Sequence, residues 1–102
     1  MDIVSEIKKL TQSKIINEER NVWTGSKSYN MISKLENGQT GVVVTLFDSQ
    51  AVARVTLYNM ITSAVMFEYI NNFEDVISTL TNFINNYKGN RRVAYACRGI
   101  KR

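Results

Sequence analysis

The sequence predicts an α+β domain in which a four- or five-stranded antiparallel or mixed sheet carries its helices on one face. Three observations predict it. Apolar and polar residues alternate over 51–58 and again over 63–70, the period of a strand with one buried face. The β-branched run Gly41-Val42-Val43-Val44-Thr45-Leu46-Phe47 reads as a further strand. Residues 2–12 and 72–88 repeat their apolar positions at the spacing of amphipathic helices.

Taken in order, Ile3, Val4, Ile7 and Leu10 form one stripe against Lys8, Lys9, Gln12 and Ser13, which predicts a helix over 2–12. Residues 14–23 place Ile15, Ile16, Val22 and Trp23 around a polar centre and read as an irregular strand or a two-part extended segment. Thr24-Gly25-Ser26 supplies a turn and an N-cap, and Tyr29, Ile32 and Leu35 follow at i, i+3 and i+6 until Asn37-Gly38 offers a left-handed stop. That spacing predicts a short helix over 26–37. After the strand at 41–47, residues 48–50 turn the chain into a hairpin partner with Ala51, Ala53, Val55 and Leu57 on one face. A turn at 59–62 leads to a strand over 63–70, with Val65, Phe67 and Tyr69 opposite Met66, Glu68 and Ile70. One buried helix across 51–70 is the alternative, since short apolar runs do not separate the two by period alone.

The helix that follows has Asn72 as N-cap and Glu74 and Asp75 at the positive end of its dipole. Its apolar face is Phe73, Val76, Ile77, Leu80, Phe83, Ile84 and Tyr87, and Lys88-Gly89 closes it. A last strand is expected over 91–97. The helices at 26–37 and 72–88 are expected to share a face of the sheet, with the first helix as a lid or edge cover. Nothing in the chain marks a domain boundary, so residues 1–102 read as a single domain. Residues 30–46 and 82–96 share an order of Asn, apolar run, Gly and β-branched strand, which suggests an internal repeat of two β-α-β-type motifs around a groove.

Composition removes several function classes. The chain holds no histidine and one cysteine, Cys97, so histidine-dependent nucleophilic sites, His-ligated zinc and an intrachain disulfide are all excluded. Cys97 reads as an inert buried thiol on the last strand. Arg54, Asn59 and Glu68 interrupt the most apolar stretch, so no membrane span is expected, and acids stand near the start where a signal peptide carries lysines. These features predict a cytoplasmic protein without cofactor or metal.

The motifs that could carry chemistry are poor matches. Gly38-Gln39-Thr40-Gly41 has the spacing of a backbone-clamping loop, but it runs into a strand and not a second helix. Thr24-Gly25-Ser26-Lys27-Ser28 lacks the glycine spacing and the Gly-Lys pair of a phosphate loop. Glu18-Glu19 and Glu74-Asp75 are the adjacent carboxylate pairs, and the second suits a helix N-terminus better than acid–base work. No enzyme is expected.

Charge is distributed unevenly. Residues 1–75 carry seven basic and nine acidic side chains, whereas Lys88, Arg91, Arg92, Arg98, Lys101 and Arg102 follow with no acid among them. Such an end can neutralise phosphates, and Tyr87 and Tyr95 interleave it, although both fall on apolar faces and read as core. The edges of a small sheet accept an added strand, and Trp23, Tyr29, Tyr58, Tyr69, Met31, Met60 and Met66 are residue types found in adaptable recognition surfaces. In its hundred-residue length, many asparagines, missing proline and histidine and doubled unit, the chain resembles the small orphan accessory proteins of viruses, among them those of filamentous viruses of archaea. That resemblance implies a host-cytoplasmic protein and transfers no site residue. The expected function is a non-enzymatic protein or peptide interaction module, binding by a sheet edge or by the groove between half-motifs, with a homodimer compatible. Nonspecific nucleic-acid binding through the six basic residues is the alternative.

Overall fold

Strand pairing follows chain order throughout. The computed structural model describes residues 2–47 and 51–89, which form helix α1 (Ile3–Thr11), strands β1 (Ser13–Arg20), β2 (Lys27–Ser33), β3 (Thr40–Phe47), β4 (Val52–Asn59) and β5 (Val65–Asn72), and helix α2 (Phe73–Gly89). A 3₁₀ turn, Leu35–Gly38, joins β2 to β3. The sheet is an antiparallel meander in the order β1-β2-β3-β4-β5.

Register aligns the inward side chains into rows. Ile15, Met31, Val42, Leu57 and Phe67 lie side by side across all five strands, and Tyr29, Val44, Val55 and Tyr69 form the next row. Both helices cover this face. Ile3, Val4 and Ile7 of α1 and Val76, Leu80, Phe83 and Ile84 of α2 complete one continuous core with Met31, Val42, Val44, Ala53, Val55, Leu57 and Phe67. Phe83 packs on Phe67 with ring centroids 4.8 Å apart, and Tyr87 stacks on Phe83 at 6.0 Å. Each fully buried side chain of this size contributes roughly 1.5–3 kcal/mol, which fixes α2 along the β4–β5 side of the sheet.

The helix ends are capped by their own sequence. Asp2 accepts from the Ser5 amide and hydroxyl, and those bonds hold its carboxyl below the ordinary value. Gln12 closes α1 in the left-handed region at φ 52°, after which β2 takes up the freed carbonyls through Lys34 N donating to Gln12 O and Ser33 Oγ donating to Thr11 O. Asn72 Oδ1 accepts from the Asp75 amide at 2.9 Å and starts α2 where its sequence predicts.

The structure bears out the α+β class, the antiparallel sheet and the helices on one face. The hairpin reading of 51–70 holds, and the single-helix alternative does not. Two expectations are corrected. Residues 27–33 are strand β2 and not part of a helix over 26–37. The i, i+3, i+6 spacing of Tyr29, Ile32 and Leu35 is outweighed by the alternation of Tyr29, Met31 and Ser33, which places Met31 and Ser33 in the core and turns Ile32 to the other face. Helix α1 packs beside α2 on the same face and is not a lid or edge cover. Residues 30–33 are therefore strand where the matching 82–85 are helix, so the suggested repeat does not share secondary structure over these positions, and residues 90–96 of its second copy lie outside the described residues. The expected last strand over 91–97, with Tyr95 and Cys97, lies outside the described residues.

Candidate interaction surface

Among the described residues, the second face of the sheet carries no helix. Its rows are Lys14, Ile32, Gly41, Tyr58 and Val65, then Asn17, Asn30, Val43, Thr56 and Glu68, then Glu19, Ser28, Thr45, Arg54 and Ile70. Gly41 is required here by close approach, because a Cβ at this position would sit 2.2 Å from the Tyr58 ring, which lies across the strand. The face mixes half-buried apolar side chains with amides, hydroxyls and charges, the composition of a surface that stays in water.

The two outer strands differ in how they meet solvent. Strand β1 carries Lys14, Glu18, Glu19 and Arg20 and bulges between Ile15 and Asn17, leaving Ile16 57% exposed. Charges and bulges are the usual protection of an edge against further pairing. Strand β5 also bulges, at Met66, but has one charged residue, Glu68, and an exposed Ile70. Among the described residues, neither β1 nor β5 has a strand on its outer side.

Two hairpin loops at opposite ends of the sheet share one construction. In the β1–β2 loop, Asn21 Oδ1 accepts from the Trp23 and Thr24 amides, Gly25 N donates to Asn21 O, and Ser26 N donates to Thr24 Oγ1. In the β4–β5 loop, Asn59 Oδ1 accepts from the Ile61 and Thr62 amides, Ser63 N donates to Asn59 O, and Ala64 N donates to Thr62 Oγ1. Gly25 and Ser63 occupy the same left-handed position, at φ 75° and 64°. Each loop turns two apolar residues outward, Val22 and Trp23 in one and Met60 and Ile61 in the other. Sequence reasoning missed the pair, although Asn21-Val22-Trp23-Thr24 and Asn59-Met60-Ile61-Thr62 carry the signal: an Asn whose side chain can accept the next two free amides, and a Thr three residues on.

An open groove of about 670 Å³ adjoins the first loop on the helix-free face. Arg54 and Glu19 place charges on this face and Phe47 an apolar wall, while Arg20, which also borders the groove, shares the row of Lys27, Leu46 and Ala53 on the covered face. Hydroxyls of Thr24, Ser26, Ser28 and Thr45 line the remainder, with Ser28 and Thr45 bonded to each other at 3.1 Å. Nearby, Lys27 is engaged by Glu18 at 3.2 Å and lies over the Tyr29 ring; contacts with Tyr29 and then Glu18 hold its ammonium above the ordinary range.

Among the described residues no three His, Cys, Asp or Glu side chains gather as a metal site. Glu18 pairs with Lys27 and Glu19 accepts from Asn17, while Asp75 bonds to Asn72 in the α2 cap. Gly38-Gln39-Thr40-Gly41 leaves the 3₁₀ turn and enters β3, and Thr24-Gly25-Ser26 is hairpin loop. Of the predicted basic residues, Lys88 falls in the last turn of α2, whereas Arg91, Arg92, Arg98, Lys101 and Arg102 lie outside the described residues. No described helix is long and apolar enough to cross a membrane. Comparison with known proteins finds no matching family model, curated protein or solved structure.

Proposed function

We propose that this chain is a non-enzymatic interaction module that takes an extended segment of a protein partner as an added strand on β5. The observation that carries the reading is the contrast in charge between the two sheet edges: both strands bulge, but β1 bears four charges, whereas β5 bears a single acid with Ile70 exposed. Backbone hydrogen bonds supply affinity in this mode, and alternate side chains supply selectivity. Amide exchange tests it. In the free chain the outward amides of β5 exchange quickly, and they become protected when peptides selected from a displayed random library bind. Slow exchange of those amides in the free chain, or peptide binding indifferent to Ile70→Lys, counts against it.

The basic C-terminal region supports a second reading, nonspecific nucleic-acid binding, because six basic residues follow Asp75 without an acid. Phosphate contacts release counterions, so such binding weakens steeply with salt. Neutralising Arg91, Arg92 and Arg98 together removes it and leaves peptide binding intact. Tight binding to DNA or RNA at physiological salt, lost in that triple variant, places the basic end first.

A further inference from the structure

We infer that the segment taken up by β5 is basic: it places a lysine or arginine opposite Glu68 and an apolar residue, two positions away, opposite Ile70. The inference rests on the reading of β5 as the accepting edge and names what that edge selects. Beyond the bulge at Met66 the register is regular. Glu68 pairs with Thr56 and Ile70 with Arg54 on the helix-free face, while Phe67, Tyr69 and Asn71 lie in rows of the covered face. A strand laid along this stretch sets alternate side chains beside Glu68 and Ile70, and the residue between them beside Tyr69.

Charge selects the occupant. Glu68 is exposed, accepts a hydrogen bond from Thr56 Oγ1 at 3.4 Å, and has no ion pair among the described residues. From Val55 to Tyr87, a stretch that holds β5 and nearly all of α2, the chain contains Glu68, Glu74 and Asp75 and no lysine or arginine. Arg54 stands on β4 behind Ile70, one strand in from the edge, and supplies no cation at the edge itself. The other side of the sheet shows the completed arrangement, where Glu18 of β1 is joined diagonally by Lys27 of β2 at 3.2 Å. At β5 the acid is present and the cation is left to the incoming strand. An acidic segment meets Glu68 as a like charge, which destabilises a cross-strand pair, and a phosphate backbone meets the same repulsion. Ile70, 53% exposed at the next alternate position, takes the apolar neighbour.

The experiment uses the full chain. Three displayed pools of peptides share an apolar residue two positions from the centre and differ in the centre itself: lysine or arginine, aspartate or glutamate, and serine or glutamine. Each pool is selected on the protein at low salt, and recovered peptides are titrated while amide exchange of β5 is followed. The basic-centred peptides are expected to protect the β5 amides and to bind about two- to fivefold more tightly than the uncharged ones, with the acidic ones weakest. Because the pair is exposed, that preference shrinks as salt is raised. Glu68→Gln is expected to level the three pools, Glu68→Lys to invert their order, and Ile70→Thr to weaken all three alike. Both side chains are exposed, and thermal midpoints check that each variant folds. Peptides that protect β5 whatever the charge at their centre, an order led by the acidic pool, or a preference that survives Glu68→Gln overturns the assignment and leaves the β5 reading standing. Failure of every pool to protect β5 overturns both. Protection present before any peptide is added does so too, since it gives the edge to this chain itself or to a second copy.

Discussion

Val43 and Val44 are neighbours in β3 with the same side chain, and the sheet gives them opposite fates. Val44 is wholly buried under the helices, and Val43 is half-buried on the face that carries none among the described residues. The alternation of a strand decides which residues share a face, but what covers that face depends on elements elsewhere in the chain. One face is closed by α1 and α2 into a dry core. The other keeps amides, hydroxyls and charges among its apolar side chains.

The largest expected effect falls on the covered face. Phe67 is fully buried beneath Phe83, and Phe67→Ala is expected to cost about 3–5 kcal/mol in denaturant unfolding through lost transfer energy and the cavity left behind. A markedly smaller loss means that α2 is not held on the sheet as described. The same chemical change at two adjacent positions then sharpens the contrast. Val44→Thr buries a hydroxyl without a prepared partner and is expected to cost about 1–3 kcal/mol, whereas Val43→Thr stays within about 0.5 kcal/mol. Equal costs break the comparison and mean that the helix-free face is covered in solution. The smallest effect has the opposite sign. Thr40 lies on the helix side of β3 with its Oγ1 buried and without a partner among the described residues, so Thr40→Val is expected to stabilise by about 1 kcal/mol. A loss there shows that the hydroxyl has a partner in solution, such as a buried water.

The covered face was largely legible. Ala53, Val55 and Leu57 are all core, as their alternation predicts, and the apolar stripe of α2 supplies Val76, Leu80, Phe83 and Ile84 to it. The failure at 27–33 has a physical origin. Tyr29 and Ile32 fit a helical stripe, yet Tyr and Ile also favour strands, and pairing with both β1 and β3 outweighs a spacing supported by three residues. The interaction surface was less legible, because it is built from residues distant in sequence. Trp23, Phe47 and Arg54 come from the first loop, β3 and β4, and only the register of four strands brings Arg54 into one row with Thr45, Ser28 and Glu19.

The meander order has a kinetic consequence. Every strand pairs with its neighbour in sequence, so each of the four ladders can form by closing a short turn, with little loss of chain entropy. The contact between α1 and α2 is different, since it joins the two ends of the described chain across the whole sheet. Local ladders lower the mean sequence separation of contacts and favour fast folding. Hairpins therefore supply the nucleus, the joining of the helices completes the core afterwards, and a weakened α1–α2 contact shortens the lifetime of the folded state more than it slows its formation.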